Sequence, residues 1–310
     1  MKSLLIRLLF ALAAIALLLA AAHFVRVNRA RQIVAQARAE VPTPLANIGS
    51  TRSLSILPLV EAAADESTGL QGEFGVSYLV RTDDAVILLD LGENERRTDP
   101  TLLEANMRLL KVDPQLLDAL VISHNHPDHV GGMDWWLIKH SYSFGRQQIS
   151  LAGKTVYLPT ALNYPGVQPV VSDEPVKIAE GVATSGIMPF EEVQLLDWIN
   201  PLNHEQNLVV NVEGQGLVVI SGCGHPGLET MLQRAEAVFG LPMVGVVGGM
   251  HYQNADAAAL QPHMDFLTGR NPRLVALSPH DSSAAVLQAF QQAFPDAYQK
   301  VEVGVEIRFP

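Results

Sequence analysis

The chain has 310 residues, 48% of them apolar and 17% charged, and its single cysteine is Cys223. That length holds one ordinary enzyme domain plus a membrane segment, and a lone cysteine excludes an intrachain disulfide while leaving the redox compartment open. Six basic groups face one acid, Glu40, in residues 1–40, so residues 41–310 carry 15 basic and 31 acidic groups, a net of −16; a body this acidic repels phosphate backbones and excludes nucleic acid as a partner.

Lys2 and Arg7 precede an uncharged run at residues 8–25, LLFALAAIALLLAAAHFV. As a helix it spans roughly 27 Å, close to a bilayer's hydrocarbon thickness. It is either a retained transmembrane anchor, the favoured reading, or a signal segment cleaved near Ala20-Ala21-Ala22. Both imply export: the chain is expected at the inner membrane with its catalytic domain in the periplasm, or free in the periplasm after cleavage. Charges flanking the run nearly balance, so they do little to orient it. Residues 26–50 read as a basic helix, RVNRARQIVAQARAE, followed by a linker marked by Pro42, Pro44 and Gly49.

Residues 51–310 read as one domain. SLSILPLVEA, FGVSYLV and AVILLDLG have strand character, DPTLLEANMRLLKV reads as a helix, and LDALVISH is a buried strand. Residues 129–141 are expected to be helical. Further on, NLVVNVE and GLVVISG form a strand pair turning at Gly214-Gln215-Gly216. A helix (GLETMLQRAEAVFG), a strand (VGVVGG), a helix (ADAAALQPHMDFLTG) and a strand (RLVALSPH) follow. A helix (SAAVLQAFQQAF) and a strand (VEVGVEIRF) close the chain. Strands alternating with helices in both halves predict an α/β sandwich.

LDALVISH ends on the densest chemistry in the chain, Ser123-His124-Asn125-His126-Pro127-Asp128-His129. Imidazole and carboxylate suit zinc, with iron or manganese also compatible, and a strand-end loop can aim several such side chains into one cleft. Residues spaced i, i+2 on extended backbone share a side, which favours a joint role for His124 and His126.

The H-x-H-x-D-H array resembles the signature of the metallo-β-lactamase superfamily, whose fold is an αββα sandwich. The resemblance implies that His124 and His126 bind a first metal and that Asp128 and His129 bind a second. It also implies that Asp90, ending AVILLD, supports the histidines from behind, as carboxylates do when they fix an imidazole tautomer. His204, before the second strand pair, and His280, ending RLVALSPH, would complete the ligand set, although Glu205 beside His204 competes to point inward. Where the superfamily has Gly-Asp, this chain has Gly222-Cys223 with His225 two residues later. Cys223 is thus either a thiolate ligand beside a ligating His225 or a small buried apolar residue. His251, ending GGMH, either touches substrate or donates a proton, or is structural.

SGCGHPGLETML, GGMH and SPH narrow the resemblance, over residues 52–310, to a branch that includes 7,8-dihydropterin-6-methyl-4-(β-D-ribofuranosyl)aminobenzene-5′-phosphate synthases. The expected activity is hydrolysis of a small ester, phosphoester or lactone. Two divalent metals, zinc by preference, would activate water as hydroxide, and Asp128 would hold a metal and orient the attack. The alternatives are a non-catalytic metal-binding or sensor domain and pterin-related synthase chemistry. Trp135 and Trp136 either line a substrate pocket or pack in a core.

Overall fold

The computed structural model describes residues 2–192 and 201–309. They form two compact units, Met1–Glu40 with Pro189–His204, and Val41–Met188 with Glu205–Pro310.

In the first unit, α1 (Lys2–Ala39) is one unbroken helix. No Gly or Pro interrupts the Ala-, Leu-, Arg- and Gln-rich run before Pro42, so the apolar run continues directly into the basic stretch. An apolar stretch long enough to cross a membrane, Leu4–Ala39, lies wholly within α1.

The larger unit opens with β1 (Leu54–Val60), β2 (Ser77–Thr82) and β3 (Val86–Leu89). Then come α2 (Leu102–Leu109), β4 (Ala119–Val121), β5 (Thr155–Tyr157), β6 (Lys177–Ala179) and β7 (Val182–Thr184). β8 (Met188–Glu191) and β9 (Leu202–Glu205), which fall mostly in the first unit, pair with each other. After them run β10 (Leu208–Val212), β11 (Gly216–Ser221), α3 (Leu228–Phe239) and β12 (Met243–Gly248). The chain ends with α4 (Ala257–Thr268), β13 (Leu274–Leu277), α5 (Ala284–Ala293) and β14 (Ile307–Arg308).

One six-stranded sheet has the order β14-β1-β2-β3-β4-β5, and the other has the order β13-β12-β11-β10-β7-β6. Their strands are apolar on both faces because both faces are covered. Ile56, Tyr78, Val80, Ile87 and Leu89 of the first sheet share a buried cluster with Leu208, Val210, Val218 and Ile220 of the second. The alternate residues face outward: Leu79 and Leu88 pack with Leu103 and Met107 of α2, while Val209, Leu217 and Val219 pack against α3, α4 and α5. This is the metallo-β-lactamase αββα sandwich.

Some local expectations need correction. Residues 127–131 are turn rather than helix, because Gly131 and Gly132 sit at φ +90° and +111°, where a helix cannot continue. A helical turn of π type covers only Asp134–Lys139. Trp135 is buried, with the Lys139 ammonium over its ring, and Trp136 packs against the α2 cluster, so this pair belongs to the core. The closing strand is reduced to β14, with a turn at Gly304.

Candidate metal centre

The parallel pairings β3–β4 and β11–β12–β13 bring the C-terminal ends of five strands together. Asp90 follows β3, His124 follows β4, Cys223 follows β11, His251 lies beyond β12 and His280 beyond β13.

Two groups of ligand-type side chains meet there, sharing Cys223. The ligand atoms of Asp128, His129, Cys223 and His280 all lie within 4.8 Å of one another, as do those of His124, Cys223 and His225. His126 stands beside the second group, its ring centroid 4.5 Å from that of His124 and 5.0 Å from that of His225.

The donor spacings suit a tetrahedral ion. Nitrogens about 2.05 Å from such an ion stand about 3.4 Å apart, and a nitrogen and a sulfur stand about 3.6 Å apart. His124 Nε2 and His225 Nε2 are 3.3 Å apart, and Cys223 Sγ is 3.6 Å from His280 Nε2. Asp128 Oδ2 is 3.3 Å from His129 Nε2 and 3.0 Å from His280 Nε2. The contact of His129 Nε2 with Cys223 Sγ, at 3.1 Å, is a hydrogen bond that metal would replace.

Asp90 organises the histidines. Fully buried and held at φ +60°, it accepts from Ser123 N at 2.7 Å and from Ser123 Oγ at 2.6 Å. It also meets His129 Nδ1 at 2.7 Å. Because the Ser123 hydroxyl donates to Asp90, its oxygen accepts from His124 Nδ1 at 2.9 Å. The Nε2 atoms of both rings are thereby turned to the centre. His280 is set differently: Gly75 N donates to its Nδ1 at 2.9 Å, so its proton sits on Nε2 toward Asp128. A metal at that Nε2 would require the proton to change nitrogens and the Gly75 contact to relax. Gly75 has no substitute here, since a Cβ would stand 2.7 Å from the Asp128 carbonyl.

The charges match a ligand set waiting for a cation. Burial, followed by the charges of neighbouring histidines, pushes His124 and His225 well below the ordinary imidazole range, leaving neutral donors. Burial opposes ionisation of Asp128, but His129 holds its carboxyl well below the usual carboxylate range. Burial likewise opposes protonation of His129, yet Cys223, Asp128 and Asp90 hold it well above. Burial pushes the Cys223 thiol up against the pull of His129. A cation would take over the work of the His129 proton.

Several buried acids outside the expected ligand set support these loops. Glu205 is fully buried and accepts from Gly224 N at 2.9 Å, His225 N at 2.8 Å and Ser221 Oγ at 3.1 Å, clamping the loop that carries Cys223 and His225. His204 lies on β9 in the other unit and joins neither group described above. Glu61, also fully buried, accepts from Tyr78 Oη at 2.5 Å, from Ser278 Oγ and from His280 N at 3.1 Å. Asp281 binds the loop of His251, and burial pushes its carboxyl up to about 7. The visible signals were an acid closing an apolar strand, for Glu61, and an acid adjoining a candidate ligand, for Glu205 and Asp281.

Comparison with known proteins agrees with this architecture. Residues 70–146 match the family model described as the metallo-beta-lactamase superfamily. The 7,8-dihydropterin-6-methyl-4-(beta-D-ribofuranosyl)-aminobenzene-5'-phosphate synthase of Methanocaldococcus jannaschii is 26% identical over 299 residues, spanning 86% of this chain and 100% of that protein. A solved structure described as a metal-dependent hydrolase of the beta-lactamase superfamily aligns with TM-score 0.58 at 20% identity, over 82% of this chain and 98% of its own. The metallo-beta-lactamase fold protein YhfI from Bacillus subtilis aligns with TM-score 0.52 at 11% identity, over 83% of this chain and 99% of its own.

Proposed function

We propose that this metallo-β-lactamase-fold chain is a metal-dependent hydrolase of small esters, phosphoesters or lactones, whose two ligand groups, sharing Cys223, would hold two metal ions. The observation that carries the reading is the pair of ligand groups sharing Cys223. His124, His126 and His225 would hold one ion, and Asp128, His129 and His280 the other. Of the expected ligands, His204 is not assigned to either ion in this reading. Imidazole, thiolate and carboxylate together favour zinc.

Ions held there would supply the chemistry of a lowered water pKa and of charge stabilisation on the substrate. The protein's own groups do the rest. Asp128 orients the attacking water, Asp90 fixes the His129 ring and, through Ser123, that of His124, and His251 gives a proton to the leaving group. Residues 41–310 carry a net −16, which disfavours polyanionic substrates. α1 would anchor the chain in the inner membrane with the catalytic unit in the periplasm; the helix running on past residue 25 supports an anchor over a cleaved signal.

Removing metal with a chelator is expected to abolish turnover, and adding zinc back to restore it. Metal uptake at His129 Nε2 must displace a proton. Because that group is raised in the metal-free fold, its proton stabilises the fold below the ordinary 6.5 and this contribution fades as pH rises through the raised value. Metal affinity therefore climbs with pH up to the raised value of His129 and levels off above it, and calorimetry in two buffers at pH 7 should find about one proton or more released per chain. Turnover that survives complete stripping would refute the reading.

A further inference from the structure

The segment Gly248-Gly249-Met250-His251 adopts a backbone that a plain connection would avoid. Gly248 sits at φ +104°, and His251 itself at φ +55°, a left-handed conformation uncommon outside glycine, although Asn, Asp and His take it up more often than other side chains. A buried carboxylate holds it there. Asp281, 5% exposed, accepts from His251 N at 2.8 Å through Oδ2 and from Met250 N at 3.4 Å through Oδ1. Gly249 leaves the room: a Cβ there would stand 2.5 Å from Asp281 Oδ2 and 2.6 Å from Cys223 Cα. The flanking pair Tyr252 and Ser282 is joined by a β-bridge, which ties the two loops together.

All this delivers one side chain. His251 is exposed, with its ring centroid 4.6 Å from that of His225, whereas His124, His129 and His280 are buried. Burial of an exposed imidazole cannot offset the strain, and backbone strain held by an over-determined environment concentrates where geometry matters for function. A solvent-facing imidazole at the edge of the centre can also exchange protons with bulk water.

We propose that Asp281 is a positioning residue: through the backbone N–H groups of Met250 and His251 it aims the His251 imidazole at the leaving group's oxygen. This rests on the hydrolase reading above. In the step, water's oxygen forms the new bond to carbon or phosphorus and its proton passes to solvent. The bond to the leaving oxygen breaks with the electron pair staying on that oxygen, which takes the proton from protonated His251. The product is an alcohol, and His251 regains its proton from water.

The test uses the full chain in detergent, zinc-loaded, with phenyl acetate and p-nitrophenyl acetate. Phenoxide has a conjugate-acid pKa of about 10, like tyrosine, and departs poorly without a proton, whereas p-nitrophenoxide needs little help. Asp281→Ala should therefore lose at least about ten-fold more kcat on phenyl acetate than on p-nitrophenyl acetate, with KM and metal content little changed. His251→Ala should show the same discrimination, and the double variant should be no worse than either single one. Asp281→Asn, which keeps acceptor oxygen, should recover part of the loss and serves if Asp281→Ala fails to fold. Amide exchange at residues 250 and 251 should accelerate in Asp281→Ala but not in His251→Ala. Equal losses on the two esters, or additive effects in the double variant, would overturn the proposal and leave the hydrolase reading standing. Wild-type protein that holds its metals yet cleaves neither ester would overturn the proposal together with the carboxylic-ester form of the hydrolase reading.

Discussion

Asp128→Asn is expected to lower turnover by on the order of 10³-fold, because a metal's charge stabilisation is worth several kcal/mol and depends on where the ion is held. The change preserves shape but not charge. Asp128 Oδ2 is within 3.3 Å of both His129 Nε2 and His280 Nε2, so it is the only carboxylate in the ligand group around the second position. An amide there carries no charge to set against the cation, and it is a poor ligand for zinc. Steady-state kinetics with added zinc would measure the loss, with far-ultraviolet circular dichroism checking the fold. A loss of less than about ten-fold would move the reaction away from this position.

The second large effect concerns Cys223. If its thiolate lies between two ions, Cys223→Ser should weaken metal binding by more than about 100-fold, beyond the 10–100-fold typical of losing an outer supporting partner. X-ray absorption at the zinc edge should show sulfur at about 2.3 Å in the wild type and none in the variant. Cys223→Asp, which places a carboxylate where the superfamily ordinarily has one, should retain both metals without the sulfur signal. A wild-type spectrum free of sulfur would return Cys223 to the role of a small buried side chain, for which its 4% exposure is equally suitable.

What could be read ahead of the structure follows from distance along the chain. His124, His126, Asp128 and His129 lie within six residues after an apolar strand, so local spacing alone pointed to a metal loop. The alternation of apolar strands with helices is likewise local, and it made the sandwich legible; that Ile56 and Ile87 face inward while Leu79 and Leu88 face outward was not, because both faces are apolar. The choice between His204 and Glu205 was not legible, because successive strand residues face opposite sides and nothing nearby sets the parity. Glu205 is buried, and its partners, Gly224 N and His225 N, are about 20 residues away and are reached only through the β10–β11 turn. Glu61 and Asp281 were missed for the same reason, since their partners come from other strands, 217 and 30 residues away. The helix after the metal loop failed differently: residues 133–139 carried the apolar pattern, but Gly131 and Gly132 spend their freedom on passing the Ser143 and Glu93 carbonyls.

The most direct measurement is metal content per chain, by elemental analysis of the full-length protein purified without chelator from cells supplied with zinc, iron and manganese. The account predicts about two ions per chain, falling to one or fewer in His124→Ala. A wild-type chain that is folded, active and free of metal would contradict it.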